Sequence, residues 1–191
     1  MCYNKRMTEV EWLERIQSDS DMMLILKIIE GLELKDSWLA AGAVRNYIWN
    51  VVSGRSGFDD TTDIDVVFFD PDMSDEETQA LERKLLSQYP QYQWQVKNQY
   101  HMHRYSPDTE PYHSTRDAIA KYPETCTAVA LRQYQGKVDF FAPYGLEVIS
   151  RLVVRPTPHF RASPSRMKLY RERLAKKDWL AKWPQLKVLE A

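Results

Sequence analysis

The sequence predicts a mixed α/β domain: a sheet of three to five strands with flanking helices, and helical extensions at both ends. Three observations predict it. Short β-branched and aromatic runs alternate with segments of helical periodicity. The 191 residues, 43% hydrophobic and 28% charged, are enough to bury a real core. Six glycines and ten prolines exclude collagen-like or low-complexity sequence, and the apolar content excludes a disordered chain.

Residues 8–34 read as helical, with Val10, Leu13 and Ile16 three apart and a second helix rich in Leu, Ile and Met from about Ser20. Residues 37–41 form a short apolar run suited to a buried strand. Gly42 follows, then Val44, Tyr47, Ile48 and Val51 at helical spacing, giving strand, glycine turn, helix. A polar loop at 53–62 leads to a β-branched and aromatic strand at 63–69, ended by Asp70-Pro71-Asp72. Ser74 and Glu77 make a capping box that opens a helix to about Gln88.

A further strand is expected at 92–99. Pro107, Pro111 and Pro123 mark 104–124 as loop, with one short helix at 117–121. Residues 125–134 read as a strand, Gln135-Gly136 as a turn and 137–141 as its partner. A short helix is expected at 145–152. Ser163-Pro164 is an N-cap followed by proline at the first helical position, and Met167, Tyr170 and Leu174 share a face of the last helix. The expected organisation is one domain: N-terminal helices at 1–36, a core at 37–160 and a basic helical extension at 161–191.

The net charge of -1 hides an asymmetry. Residues 1–150 carry 15 Lys and Arg against 24 Asp and Glu, whereas 151–191 carry 11 against 3. Residues 57–82 hold ten carboxylates and no Lys or Arg. Such a split suits a cation site in one part and an anion-facing surface in the other. The most apolar stretch, 22–29, is broken by Lys27 and too short to span a membrane. Residues 1–6 lack a secretory apolar region, and Cys2 and Cys126 form neither a disulfide framework nor a zinc set. A cytoplasmic protein with no membrane partner is expected.

Chemistry concentrates in two elements about twenty residues apart: Ala40-Ala41-Gly42-Ala43-Val44-Arg45-Asn46, strand into helix, and Asp63-Ile64-Asp65, opening an apolar strand. Residues two apart on a strand face the same way, so both carboxylates can share Mg²⁺ while leaving positions for phosphate oxygens. Gly42 permits close approach of phosphate, the N–H groups of the helix from Ala43 can receive an anion, and Arg45 lies in the first turn. An Asp-x-Asp pair alone recurs by chance; the paired elements in this order are the signal. Haloacid-dehalogenase phosphatases place the pair after an apolar strand, and here it precedes one. Sugar-nucleotide glycosyltransferases do not require the Gly42–Arg45 element.

These segments resemble the Gly-Gly-x-Val-Arg-Asp and Asp-x-Asp motifs of tRNA CCA-adding enzymes and the DNA polymerase beta nucleotidyltransferase superfamily. More closely, the chain resembles a bacterial family of nucleotidyltransferase-like proteins. That resemblance is carried by residues 41–50, by Lys97-Asn98-Gln99-Tyr100-His101-Met102-His103, by residues 122–130 and by Ala142-Pro143-Tyr144-Gly145-Leu146. It implies Mg²⁺-dependent transfer of a nucleoside monophosphate from an NTP to a hydroxyl-bearing acceptor (a small molecule, RNA or protein), with Mn²⁺ as a substitute ion. It also implies that Gly42, Ala43, Arg45 and Asn46 cradle phosphates. Asp63 and Asp65 would hold the metal, with Asp139 as third carboxylate and general base. Ala41 in place of the first motif glycine, Asn46 in place of the acid after Arg45, and the long 53–62 loop depart from the pattern. They leave open an inactive nucleotide-binding or regulatory module of the same fold.

His101 and His103, two apart, would share one side of a strand end, and with Asn98 and Arg104 they suggest contacts to the acceptor or base. Tyr112, His113 and Arg116 lie in a proline-bounded loop suited to a lid. The six tryptophans and eleven tyrosines read mostly as core, with base stacking as the alternative. The basic residues of 161–191, Arg161 through Lys182 above all, read as a solvated helix face, with contact to nucleotide phosphate or a weak nucleic-acid contact to RNA backbone as the alternative.

Overall fold

The computed structural model describes residues 7–190; Cys2 and the first six residues lie outside them. Two short helices open the chain, α1 (Glu9–Gln17) and α2 (Ser20–Glu30). Thr8 and Glu11 form a reciprocal capping box on α1, and Asp19 caps α2. The stripe of Trp12, Ile16, Met22, Ile25, Leu26 and Ile29 is buried against the sheet. Next come β1 (Trp38–Ala40), α3 (Gly42–Val52), β2 (Asp63–Phe68), α4 (Asp75–Gln88) and β3 (Gln93–Asn98). Ser74 and Glu77 close the second capping box at α4.

A short α5 (Gln99–Met102) and a 3₁₀ turn (His103–Tyr105) follow, then α6 (Thr115–Ala120) and the hairpin β4 (Ala130–Tyr134) and β5 (Lys137–Phe141). The chain ends with α7 (Leu146–Ser150), β6 (Val153–Val154), α8 (Pro158–Arg161), α9 (Pro164–Ala175), α10 (Trp179–Lys182) and β7 (Lys187–Val188). The main sheet is mixed, in the order β3-β2-β1-β4-β5, with β2 and β3 parallel and the other pairs antiparallel.

Alternation gives the sheet two faces. Leu39, Ile64, Val66, Trp94, Val96, Leu131 and Val138 point into the larger core, shared with α1, α2 and α3. Trp38, Ala40, Val67 and Ala130 point the other way, into a smaller cluster with Ile119, Tyr122 and Phe141. Asp63 and Asp65 belong to this second face. The C-terminal segment joins the larger core: Trp179, Trp183 and Leu186 are buried there, and Trp49 stacks edge-on against Trp179 and Trp183. All six tryptophans are buried, so they are core and not stacking platforms.

Two elements differ from expectation. The strand expected at 125–134 begins only at Ala130, because the backbone folds around Glu124, whose carbonyl accepts from the N–H groups of Thr127 and Ala128. The strand expected to run to 99 stops at Asn98, whose side chain accepts from Tyr100 N–H and caps a helix.

Candidate active site

Ala40 pairs with Asp65 across β1 and β2, so the end of β1 delivers the chain beside the carboxylates. Ala41 makes the bend at φ 54°, a conformation unusual for a side chain, and its N–H donates to Val129 O. Helix α3 then starts at Gly42. A Cβ built on Gly42 would stand 3.8 Å from Asp65 Oδ2 and 3.7 Å from the Asp63 main-chain O, so the first turn of α3 lies beside the Asp65 carboxylate. The first N–H groups of α3 have no intrahelical acceptor and carry the positive end of the helix dipole.

Arg45 is not available to that space. It is buried, its guanidinium lies 4.8 Å from the Trp49 ring centroid and 4.3 Å from that of Trp179, and it donates to Thr127 Oγ1 (3.0 Å). Its Nε and Nη2 both donate to Asn46 Oδ1, at 3.1 and 2.8 Å, and Asn46 Nδ2 donates in turn to Thr62 Oγ1. Burial and the nearby Arg173 work to lower the Arg45 pKa, partly offset by Cys126, Glu124 and Asp65, and the net direction is down. The Arg45 and Asn46 side chains, expected at phosphate, are spent on each other and brace α3 against Thr62, just before β2, and Thr127, before β4. Asn46 accepts both Arg45 donors as an acid would.

The 53–62 loop is similarly pinned. Asn50 donates to Gly57 O, Lys182 pairs with Asp59 at 2.6 Å, and a Cβ on Gly57 would collide with the Tyr47 ring.

Asp65 has a cation already. Lys97 Nζ on β3 donates to Asp65 Oδ1 and Gln95 Oε1, each at 2.7 Å. In register, the neighbours of Asp65 are Ala40 and Gln95, and that of Asp63 on β3 is Gln93; none is an acid. Asp139 does not join them. It lies on edge strand β5, three strand spacings or roughly 14 Å from β2. There it pairs with Arg132 at 3.7 Å and is half exposed.

Among the described residues, no group of three or more His, Cys, Asp or Glu side chains is arranged to hold a metal. The donor set that remains, Asp63 with Oδ2 of Asp65, fits one Mg²⁺ or Mn²⁺ that keeps waters and phosphate oxygens in its other positions. The three-carboxylate set expected from the resemblance is not formed.

Asp65 opens into a cleft of about 550 Å³ between the second face of the sheet and α9. Lys97, Lys121, Arg173, Lys176 and Lys177 line it, as do Met102, Tyr105, Tyr112, Phe160 and Leu169. Lys121 is held by Asp117 and Arg173 by the fully buried Glu124, at 2.8 Å each. Partial burial, with Arg173 and Arg45 close by, lowers the Lys177 ammonium, so an incoming anion would find it short of negative charge. The basic C-terminal segment is thus a cleft wall as well as a solvated face.

None of Asn98, His101, His103 and Arg104, from which acceptor or base contacts are expected, lines the cleft. The buried Asn98 amide bonds to Asp70 and Met73 backbone. Helix α5 and its 3₁₀ continuation rotate His101 and His103 apart: His101 Nε2 lies 3.3 Å from Met73 O and His103 Nδ1 3.1 Å from Tyr100 O. Arg104 is exposed and outside the cleft. Of the expected lid, Tyr112 faces the cleft, whereas Arg116 lies over Trp38. Lys97 and Lys121 were not singled out from sequence, whereas Arg173, Lys176 and Lys177 fall in the basic stretch 161–182 for which phosphate contact is one reading. The polar alternation Gln93, Gln95, Lys97 beside Asp63 and Asp65 was the available signal for the first.

A five-stranded mixed sheet that sets an Asp-x-Asp pair beside a Gly-started helix defines a nucleotidyltransferase-type domain. The chain belongs to the nucleotidyltransferase family, whose model matches residues 27–188. It is similar to an NMR structure described as revealing a CCA-adding enzyme head domain, with 54% identity over 98% of this chain and 99% of that one and a TM-score of 0.93. It also shares the fold of a CCA-adding enzyme solved with CTP, with 13% identity and a TM-score of 0.51; 94% of this chain matches 42% of that one. A search of curated proteins gave no match. No helix of the described residues is long and apolar enough to cross a membrane.

Proposed function

We propose that this chain transfers a nucleoside monophosphate from an NTP to a hydroxyl-bearing acceptor, using one divalent ion held by Asp63 and Asp65. The observation that carries the reading is that Asp65, whose Oδ2 stands beside the first turn of α3, opens into a cleft lined by five cationic side chains. A bound divalent ion would neutralise phosphate charge and polarise the phosphoryl group under attack. The α3 amides receive phosphate oxygens, with Gly42 leaving room for them. Lys121, Arg173, Lys176 and Lys177 hold the remaining negative charge of the triphosphate. Met102, Tyr105, Tyr112, Phe160 and Leu169 offer apolar surface to base and sugar. Asp139 has no part in this scheme.

The similarity to a CCA-adding head domain and to a structure holding CTP supports NTP as the donor and CTP and ATP as the first nucleotides to try. Incorporation of labelled nucleotide into RNA and small-molecule acceptor pools, with Mg²⁺ and with chelator, tests the reading. Activity that needs the ion and falls at least 100-fold in Asp65→Asn supports it. Equal activity in the two proteins contradicts it.

The missing third acid favours a second reading, a module that binds nucleotide without turnover. It predicts binding of Mg-nucleotide with no transfer to any acceptor.

A further inference from the structure

We infer that Lys97 takes the place of one ion of a two-metal site, so that this cleft works with a single divalent ion and a tethered ammonium. The inference rests on the nucleotide-transfer reading above. In a two-ion centre a carboxylate must bridge cations about 3.5–4 Å apart. Here Asp65 is the inner carboxylate, and its Oδ1 is engaged by Lys97 Nζ at 2.7 Å. Gln95 Oε1 accepts from the same ammonium at 2.7 Å and holds it in place.

No other acid can supply the missing bridge from a neighbouring register position, because Ala40 and Gln95 flank Asp65 and Gln93 flanks Asp63. The Asp65 side chain is largely buried, so the pair is weakly screened and a dication beside the ammonium would be repelled. Oδ2, on the Gly42 side, stays open to one ion. Lys97 also lines the cleft, so its remaining N–H can meet a phosphate oxygen.

Electron paramagnetic resonance of Mn²⁺ on the full chain, saturated with a non-hydrolysable ATP or CTP analogue, tests this. Wild type should bind one Mn²⁺ per protein–nucleotide complex, with an uncoupled mononuclear spectrum. Lys97→Met should bind two and show a spin-coupled pair, and Lys97→Arg, which keeps the charge, should return to one. A coupled pair in wild type overturns the inference whatever the variants do, together with the single-ion clause of the proposed function, and leaves transfer from an NTP intact. A single ion in a folded Lys97→Met protein also overturns it. Failure of wild type to bind either analogue, measured by equilibrium dialysis, overturns this inference and the nucleotide reading together.

Discussion

Gly42 has ordinary van der Waals room for a methyl group, so the fold does not require glycine there. What the methyl would occupy is the space between α3 and Asp65 Oδ2. Gly42→Ala is therefore expected to leave the melting temperature within about 2 °C, an effect under roughly 0.5 kcal/mol. It should weaken Mg-nucleotide binding at least tenfold, which calorimetry of both quantities would show. Arg45 teaches the opposite lesson. Its place in the motif suggested a phosphate ligand, yet its donors are spent on Asn46 and Thr127 and its faces on two indoles. Local spacing put Arg45 in the first turn of α3. Only the packing of Trp179, 134 positions along the chain, determines what it touches. Lys97 was hidden for a similar reason: its role exists only once β3 lies parallel to β2.

At the scale of elements, α9 is tied to the core by an ion pair of unequal exposure. Glu124 is fully buried and its Oε2 has no hydrogen-bond partner, while Arg173 is partly exposed. Removing the arginine strands a buried carboxylate. Arg173→Ala should cost about 3 kcal/mol, the low end for a broken buried pair, and Glu124→Gln in the same protein should restore more than half; urea denaturation of the three variants checks it. A second tie is pH-dependent. His159 Nε2 meets Thr109 Oγ1 at 3.0 Å, joining the loop before α6 to α8. Burial, then Arg166 and Lys121, holds its pKa below the ordinary 6.5, with Asp117 opposing. A base depressed in the folded state adds stability that is whole above about pH 6.5 and lost as pH falls through the folded value. Wild type should lose more denaturant resistance between pH 7.5 and 5.5 than His159→Asn.

Most elements were legible because their signals are local: the capping box of Ser74 and Glu77, the β-branched run of β2, and proline at the first position of α9. The turn of helix at α5 was also legible in principle, since Asn98 is a good N-cap. Its polar neighbours read as strand because β3 runs directly into it. Taken as a strand end, the segment paired His101 with His103, and the helix separates them.

Across the whole molecule, the strand order β3-β2-β1-β4-β5 decides the site. Asp139 has the sequence context of a third site carboxylate, with apolar neighbours on a late strand. The sheet places β5 at the far edge, and no feature of residues 137–141 reports that distance. The charge split has a similar resolution. The acidic body contributes Asp65 to the cleft, and the basic segment supplies Arg173, Lys176 and Lys177 to its wall, so part of the opposite charge meets at one place.

The central claim is that this cleft is the nucleotide site. Chemical-shift mapping of the ¹⁵N-labelled chain with Mg²⁺ and CTP or ATP tests it most directly. Shifts concentrated on 41–44, 63–65, Lys97, Lys121 and 173–177 are predicted. Shifts confined to the separate surface pocket around Asp21, Arg55 and Tyr92, or absent altogether, would contradict it.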